Sequence, residues 1–193
     1  MISAEINRIE IINKILSEHP HLKGYLNGPP KSALELQTST PEIRIDVSYR
    51  GYLGDERFWR ESHISLIQLL AWHGKLEHIQ MLEPDISDMN QEVKKNNYLV
   101  IRSAARNGHL ETIEYLESHL NDAEKNEAVK AEGYEAIRSA AENGHLATLK
   151  QLESHLNDAE KKEAVKAYGY LAIRSTARRG YLATLKQLES HLD

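Results

Sequence analysis

A block of about ten residues recurs at a fixed interval and limits what this chain can fold into. Residues 101–110 return with few changes at 137–146 and 173–182, so that Gly108, Gly144 and Gly180 are separated by steps of 36 residues. A step of this size is typical of stacked structural units, each too small to bury its own apolar side chains. The sequence therefore predicts an array in which every unit is stabilised by its neighbours.

The apolar spacing inside one unit predicts a pair of helices. Leucines three or four residues apart follow Gly144, namely Leu146, Leu149, Leu152 and Leu156. Ile173 and Ala177 are four residues apart and precede Gly180, which gives a second, narrower apolar face. Such spacing is that of amphipathic helices, and glycine at a helix end tolerates the left-handed conformation of a C-cap. Each unit is thus predicted to be a helical hairpin.

The segment that joins two hairpins is also predicted to be helical. Residues 157–167 are rich in Ala, Glu and Lys, which are good helix formers. Asn157 lies three residues before Glu160, the spacing of a capping box. We therefore expect a short linker helix in each unit.

An older copy of the unit lies further upstream. Aligning Gly74 with Gly108, at a step of 34, places Ala71 on Ala105 and Ile79 on Ile113. The predicted fold class is therefore all-α, with four helical repeats over residues 61–193 and an N-terminal helical cap region over residues 1–60.

The cap region has weaker patterns. Residues 4–18 have the apolar spacing of a helix, and residues 43–49 alternate apolar and polar side chains as a short strand does. We found no partner strand for it in the sequence. A further helix is predicted from Asp55 to His73.

Composition excludes several classes of function. The 193 residues carry a net charge of −5 without a run of Lys and Arg, which argues against nucleic acid and anionic membranes as partners. There is no apolar stretch of membrane-spanning length and no secretory signal at the start. Cysteine is absent, which removes thiolate metal sites and agrees with a reducing compartment. We expect a cytoplasmic protein without a cofactor.

The sequence from Ala140 and Ala141 through Gly144 and His145 to Leu149 resembles an ankyrin repeat. The match recurs at residues 104–113, more loosely at 176–185 and faintly at 70–79. Two features depart from the family: its Thr-Pro dipeptide is missing, and its β-hairpin is replaced by the predicted linker helix. The resemblance implies a helix-rich ankyrin-like array, as in divergent repeats of intracellular bacterial effector proteins. It further implies a protein-binding scaffold and leaves open whether the protein is delivered into a host cell.

Two kinds of polar residue recur in step with the repeat. His109 and His145 invite a metal hypothesis, but equivalent side chains on stacked helices lie about 10 Å apart, too far to share one zinc ion. We expect these histidines to form hydrogen bonds within the turn between helices. Arginine recurs at three equivalent positions, Arg102, Arg138 and Arg174. It either ties one repeat to the next or forms a basic stripe for an acidic partner.

Positions that change between repeats indicate a binding surface. Acidic and neutral residues of the third unit become aromatic, apolar or basic in the last one, and Tyr and Arg are enriched at interface hot spots. The candidate partner-binding residues are Tyr168, Leu171, Arg174, Arg178, Arg179 and Tyr181. The alternative explanation is drift in a terminal repeat.

Motifs of known enzyme classes are absent from the sequence, including those for phosphate loops, dinucleotides, zinc proteases and serine hydrolases. The leading hypothesis is non-catalytic recognition of another, unidentified protein. One alternative is self-assembly as a homodimer through the C-terminal repeat. Another is an enzyme with a site in residues 25–60.

Overall fold

The computed structural model of the protein describes residues 44–46 and 63–192. The chain divides into two compact units, one formed by Met1–Leu69 and Glu77–Ser87 and the other by Leu70–Leu76 and Asp88–Asp193. The predicted boundary at residue 60 falls between the described ranges and stays a prediction, as does the helix over residues 4–18.

Two short strands pair in the first unit. Strand β1 (Arg44–Asp46) is antiparallel to β2 (His63–Ser65), with Ile45 opposite Ile64. The strand prediction is confirmed for residues 44–46, but two expectations are wrong: the strand has a partner in this chain, and residues 63–65 are extended rather than helical. The second strand was missed because its three residues are too few to show a period of two, and the segment it pairs with is not adjacent in sequence.

The first pair of helices is α1 (Leu66–Trp72) and α2 (Leu76–Leu82), with Gly74 at positive φ between them. A 3₁₀ turn follows at Glu83–Asp85.

The second unit contains three further helix pairs. They are α3 (Met89–Arg106) with α4 (Leu110–Glu117), α5 (Asp122–Glu142) with α6 (Leu146–Glu153), and α7 (Asp158–Arg179) with α8 (Leu182–Glu189). The longer helices pack in the order α3, α5, α7, and the shorter ones in the order α4, α6, α8. The predicted all-α repeat architecture is confirmed.

Each long helix begins with the linker helix that the sequence predicts. The side chain of Asn121 accepts a hydrogen bond from the backbone N–H of Glu124, and Asn157 does the same for Glu160. In both cases the glutamate side chain accepts a hydrogen bond from the backbone N–H of the asparagine, which completes a capping box.

A left-handed turn separates each linker helix from the helix that follows. In α5 the three residues Glu132, Gly133 and Tyr134 have φ values of 51°, 62° and 62°. Equivalent turns occur at residues 96–98 and 168–170. A non-glycine residue in this conformation costs roughly 1 kcal/mol, so the turn needs support from its surroundings.

The repeated arginine provides that support in two of the repeats. Arg138 donates through Nε to the carbonyl of Gly133 at 3.1 Å and through Nη2 to that of Glu132 at 3.3 Å. Arg102 binds the carbonyls of Asn97 and Asn96 in the same way, at 3.0 and 2.9 Å. Arginine at this position is explained in these two repeats because one planar guanidinium can satisfy two carbonyls of the left-handed turn.

Candidate interaction surface

Histidines connect the second and third repeats to the repeat before each of them. His109 Nε2 lies 3.0 Å from the carbonyl oxygen of Trp72, and His145 hydrogen-bonds to the backbone of Arg106. The expectation that these histidines bond within their own turn is therefore wrong. Residue spacing could not predict this contact, because the acceptor for His109 is a backbone carbonyl at the end of α1, the first helix of the preceding pair. Burial of the two rings lowers the pKa of both histidines.

The arginine row also reaches the following repeat. Arg102 forms an ion pair with Glu135, in addition to its bonds to its own turn. Arg138 instead faces an aromatic ring, since its guanidinium carbon is 4.2 Å from the ring centroid of Tyr168. Both contacts join a cation on one repeat to a carboxylate or π-face on the next.

A second row of polar contacts repeats between the linker helices. Lys94 Nζ is 2.8 Å from Glu124 Oε1, and the equivalent Lys130–Glu160 distance is 2.9 Å. Hydrogen bonds from these lysines are the largest cause that holds the pKa of Glu124 and Glu160 at about 2. Each carboxylate is therefore ionised at any physiological pH.

Tyrosines of the left-handed turns extend this row. The hydroxyl of Tyr98 donates to Glu127 at 2.9 Å, and that of Tyr134 donates to Glu163 at 2.8 Å. Burial raises the pKa of both tyrosines, which keeps the hydroxyls protonated as donors. One face of a repeat thus supplies Lys and Tyr donors, and the facing side of the next repeat supplies two glutamates.

The shorter helices are joined by buried glutamates. Glu117 accepts a hydrogen bond from Gln151 at 2.7 Å and lies 3.0 Å from His155 Nε2. Glu153, Gln187 and His191 form the same arrangement one repeat later, shown by the distances of 2.7 and 3.0 Å. These polar contacts fix the register of adjacent repeats.

The final repeat exposes side chains that earlier repeats bury or partly bury. Tyr170 is 41% exposed, whereas the equivalent Tyr98 and Tyr134 are 3% and 5% exposed. Leu182 is 68% exposed. Neither residue was singled out from the sequence. For Tyr170 the step of 36 carries the signal, because the equivalent Tyr134 binds Glu163 of the following repeat.

Three of the predicted site residues share one face of α7. Leu171, Arg174 and Arg178 are spaced by three and four residues, which places them in one row along a helix. Arg174 and Arg178 are exposed and Leu171 is half-buried. The two arginines of this row are therefore accessible to solvent.

The other three predicted site residues contact the preceding repeat. Arg179 donates through Nη1 to the carbonyl of Glu142 at 2.7 Å and to Asn143 Oδ1 at 2.8 Å. The ring of Tyr181 packs on Gly144, in the place that histidine takes in earlier repeats. Tyr168 packs on Arg138 and is still 64% exposed. These side chains therefore hold the final repeat in place and border the exposed row.

Residues 44–46 and 63–192 contain no group of three or more His, Cys, Asp or Glu side chains arranged to hold a metal ion. In the same described ranges, no helix is long and apolar enough to cross a membrane. Of residues 25–60, to which the enzyme hypothesis refers, only 44–46 are described.

The fold is a helical array of ankyrin-like repeats. Its helix pairs are stacked, alanines of the first helix in a pair are buried, and a glycine lies in the turn between the two helices. The chain is similar to the solved structure of an ankyrin repeat family protein from Legionella pneumophila, with 32% sequence identity and a TM-score of 0.55. The match covers 63% of this chain and 34% of that protein. The resemblance inferred from the repeated motif is confirmed. No protein-family model and no curated protein matches the sequence.

Proposed function

We propose that this chain is a non-catalytic recognition scaffold whose final repeat binds another protein. The observation that carries the proposal is the exposed row on α7, where Leu171, Arg174 and Arg178 lie beside Tyr168. A scaffold of stacked repeats holds such side chains in place before binding, which reduces the conformational entropy lost on association.

The residues that differ between the third and the last unit support the assignment of this surface to partner binding. Glu132, Glu135 and Glu142 of the third unit stand where Tyr168, Leu171 and Arg178 stand in the last. The change removes three negative charges and adds one aromatic, one apolar and one basic side chain. Tyrosine and arginine supply much of the binding energy at protein interfaces.

The cellular location of this recognition is proposed from the source of the ankyrin repeat family protein that the chain resembles. Since that protein comes from Legionella pneumophila, we propose that this chain is a bacterial effector that acts in the cytoplasm of a host cell. Its target is then a host protein.

A second candidate function is self-assembly. Tyr170 and Leu182 are exposed in the final repeat, and exposed apolar side chains at a repeat edge favour association of two copies. Sedimentation velocity over a range of tens of micromolar separates the two candidates. A concentration-independent monomer contradicts self-assembly.

The recognition function is tested by affinity capture from eukaryotic and bacterial lysates. The natural chain is compared with a variant carrying Tyr168→Glu, Leu171→Glu and Arg178→Glu. A matched control carries Ala123→Glu, Ala147→Glu and Lys150→Glu, three exposed positions outside the final repeat. We expect a protein that the natural chain and the control retain and the first variant loses, with unchanged circular dichroism. Equal capture by all three chains would contradict the proposed surface.

A further inference from the structure

The final repeat presents donors that bind carboxylates elsewhere in the same chain. Lys166 and Tyr170 lie 36 residues after Lys130 and Tyr134. Lys166 and Tyr170 are both exposed. Of the two earlier residues, Lys130 is also exposed and binds Glu160, whereas Tyr134 is buried and binds Glu163. The interior interfaces therefore report which ligand chemistry this face accepts.

That chemistry is a pair of glutamates on one helix. Glu124 and Glu127 are three residues apart and follow the N-cap Asn121. Their counterparts Glu160 and Glu163 have the same spacing. Residues three apart lie on one side of a helix, so both carboxylates reach the Lys–Tyr pair at once. The two interior interfaces agree to within 0.1 Å, with Lys–Glu distances of 2.8 and 2.9 Å and Tyr–Glu distances of 2.9 and 2.8 Å.

The exposed face is also more cationic than its interior counterparts. Asn126 donates to Glu160 at 3.0 Å, and the equivalent position in the final repeat is Lys162. Lys162 also donates to the carbonyl of Leu192 at 3.1 Å. The change from Asn to Lys adds positive charge where an incoming acidic helix would lie.

Apolar groups accompany the charges. Ala177 is exposed, whereas the equivalent Ala105 and Ala141 are fully buried. In the interior interfaces, the acidic pair is followed at once by two buried apolar residues, Ala164 and Val165 in the last linker helix. A matching ligand therefore combines two glutamates with a small apolar stripe.

We infer that the end face of the final repeat, defined by Lys166, Tyr170, Arg174 and Ala177, binds an acidic amphipathic helix of another protein. The helix carries Asn-x-x-Glu-x-x-Glu-Ala-Val or a close equivalent. This inference rests on the proposed recognition function and names the chemistry of the partner.

The test is a fluorescence anisotropy titration of a labelled peptide with the sequence of residues 157–179 by the full chain. A control peptide has Gln in place of Glu160 and Glu163, which keeps the size and the capping side chain and removes both charges. Tyr170→Phe in the chain removes one donor, and Tyr134→Phe serves as the matched interior substitution. Circular dichroism checks the fold of each chain.

We expect saturable binding of the acidic peptide, at least tenfold weaker binding of the Gln peptide, and several-fold weaker binding to the Tyr170→Phe chain. The Tyr134→Phe chain is expected to bind like the natural one. Binding that weakens with salt would agree with the charge pairing.

Three results would overturn the inference: no saturable signal up to about 1 mM peptide, equal affinity for both peptides, or a Tyr170-dependent homodimer in sedimentation that excludes the peptide. In each of them, lysate capture that depends on Tyr168, Leu171 and Arg178 would leave the recognition function standing with a different partner chemistry. Loss of that capture dependence would remove the proposed function itself.

Discussion

The hydroxyl of Tyr134 donates a 2.8 Å hydrogen bond to Glu163, a residue of the next repeat. The same bond joins Tyr98 to Glu127 at 2.9 Å. Tyr134 has a positive φ and its ring is buried, so one residue shapes the left-handed turn and links two repeats. Tyr170 has the same backbone conformation but is 41% exposed.

Removing this hydroxyl is expected to affect only the interior position. Tyr134→Phe leaves Glu163 without its donor and should lower the free energy of unfolding by about 1 to 2 kcal/mol. Tyr170→Phe should change it by less than about 0.5 kcal/mol. Urea denaturation followed by circular dichroism measures both. Equal losses would show that Tyr170 has a partner in the isolated chain.

The glycine turns give a second matched pair of substitutions. Gly108 has φ of 74°, and a Cβ added there would lie 2.4 Å from His145 Nδ1. Gly180 has φ of 77°, and a Cβ there would meet nothing within 4 Å. Gly180→Ala should therefore cost only the strain of the left-handed conformation, about 1 kcal/mol. Gly108→Ala should cost about 1 to 3 kcal/mol more, because the imidazole must move.

Thermal and urea unfolding of the two glycine variants test this difference. A smaller loss for Gly108→Ala than for Gly180→Ala would mean that His145 does not pack on the preceding repeat.

Apolar substitutions test which side of the helices is buried. Leu152 is fully buried, so Leu152→Ala should cost about 2 to 5 kcal/mol. Leu182→Ala should be neutral to within about 0.5 kcal/mol, since its side chain is mostly exposed. Similar losses from both, measured by urea denaturation, would contradict the assignment of buried and exposed faces.

The histidine contacts predict a dependence of stability on pH. Burial lowers the pKa of His145 below its ordinary 6.5 in the folded chain. The unfolded chain then takes up a proton first as the pH falls, so the folded state binds fewer protons. This contribution to stability is complete above pH 6.5 and is lost as the pH falls through the folded pKa.

Replacing His145 by Tyr, which the next repeat carries as Tyr181, should reduce this loss between pH 7 and pH 5. The comparison uses the free energy of unfolding of the variant and the natural chain at each pH, so that other titrating groups contribute equally to both. If the free energy of unfolding depends on pH equally in both chains, the His145 ring is exposed to solvent and the account of its burial is wrong.

Local chemistry made much of this fold predictable. The apolar spacing around Leu149 and Leu152, the turn at Gly144 and the capping box of Asn157 all depend on neighbours within a few residues. Contacts between repeats were harder to predict, because they join residues far apart in the chain. The partner of His109, for example, is the backbone carbonyl of Trp72. The left-handed turn at 132–134 was missed because two of its three residues are not glycine and no intrinsic preference indicates a positive φ. The exposure of Tyr170 became visible only by comparison with buried Tyr134.

The most direct test of the account is amide hydrogen exchange of the full chain, alone and bound to a protein captured from lysate. The three repeats of similar sequence serve as internal controls for one another. We predict slower exchange on binding within residues 166–182, with little change in the equivalent residues 94–110 and 130–146. Protection confined to the interior repeats, or spread equally over all three, would contradict recognition by the final repeat.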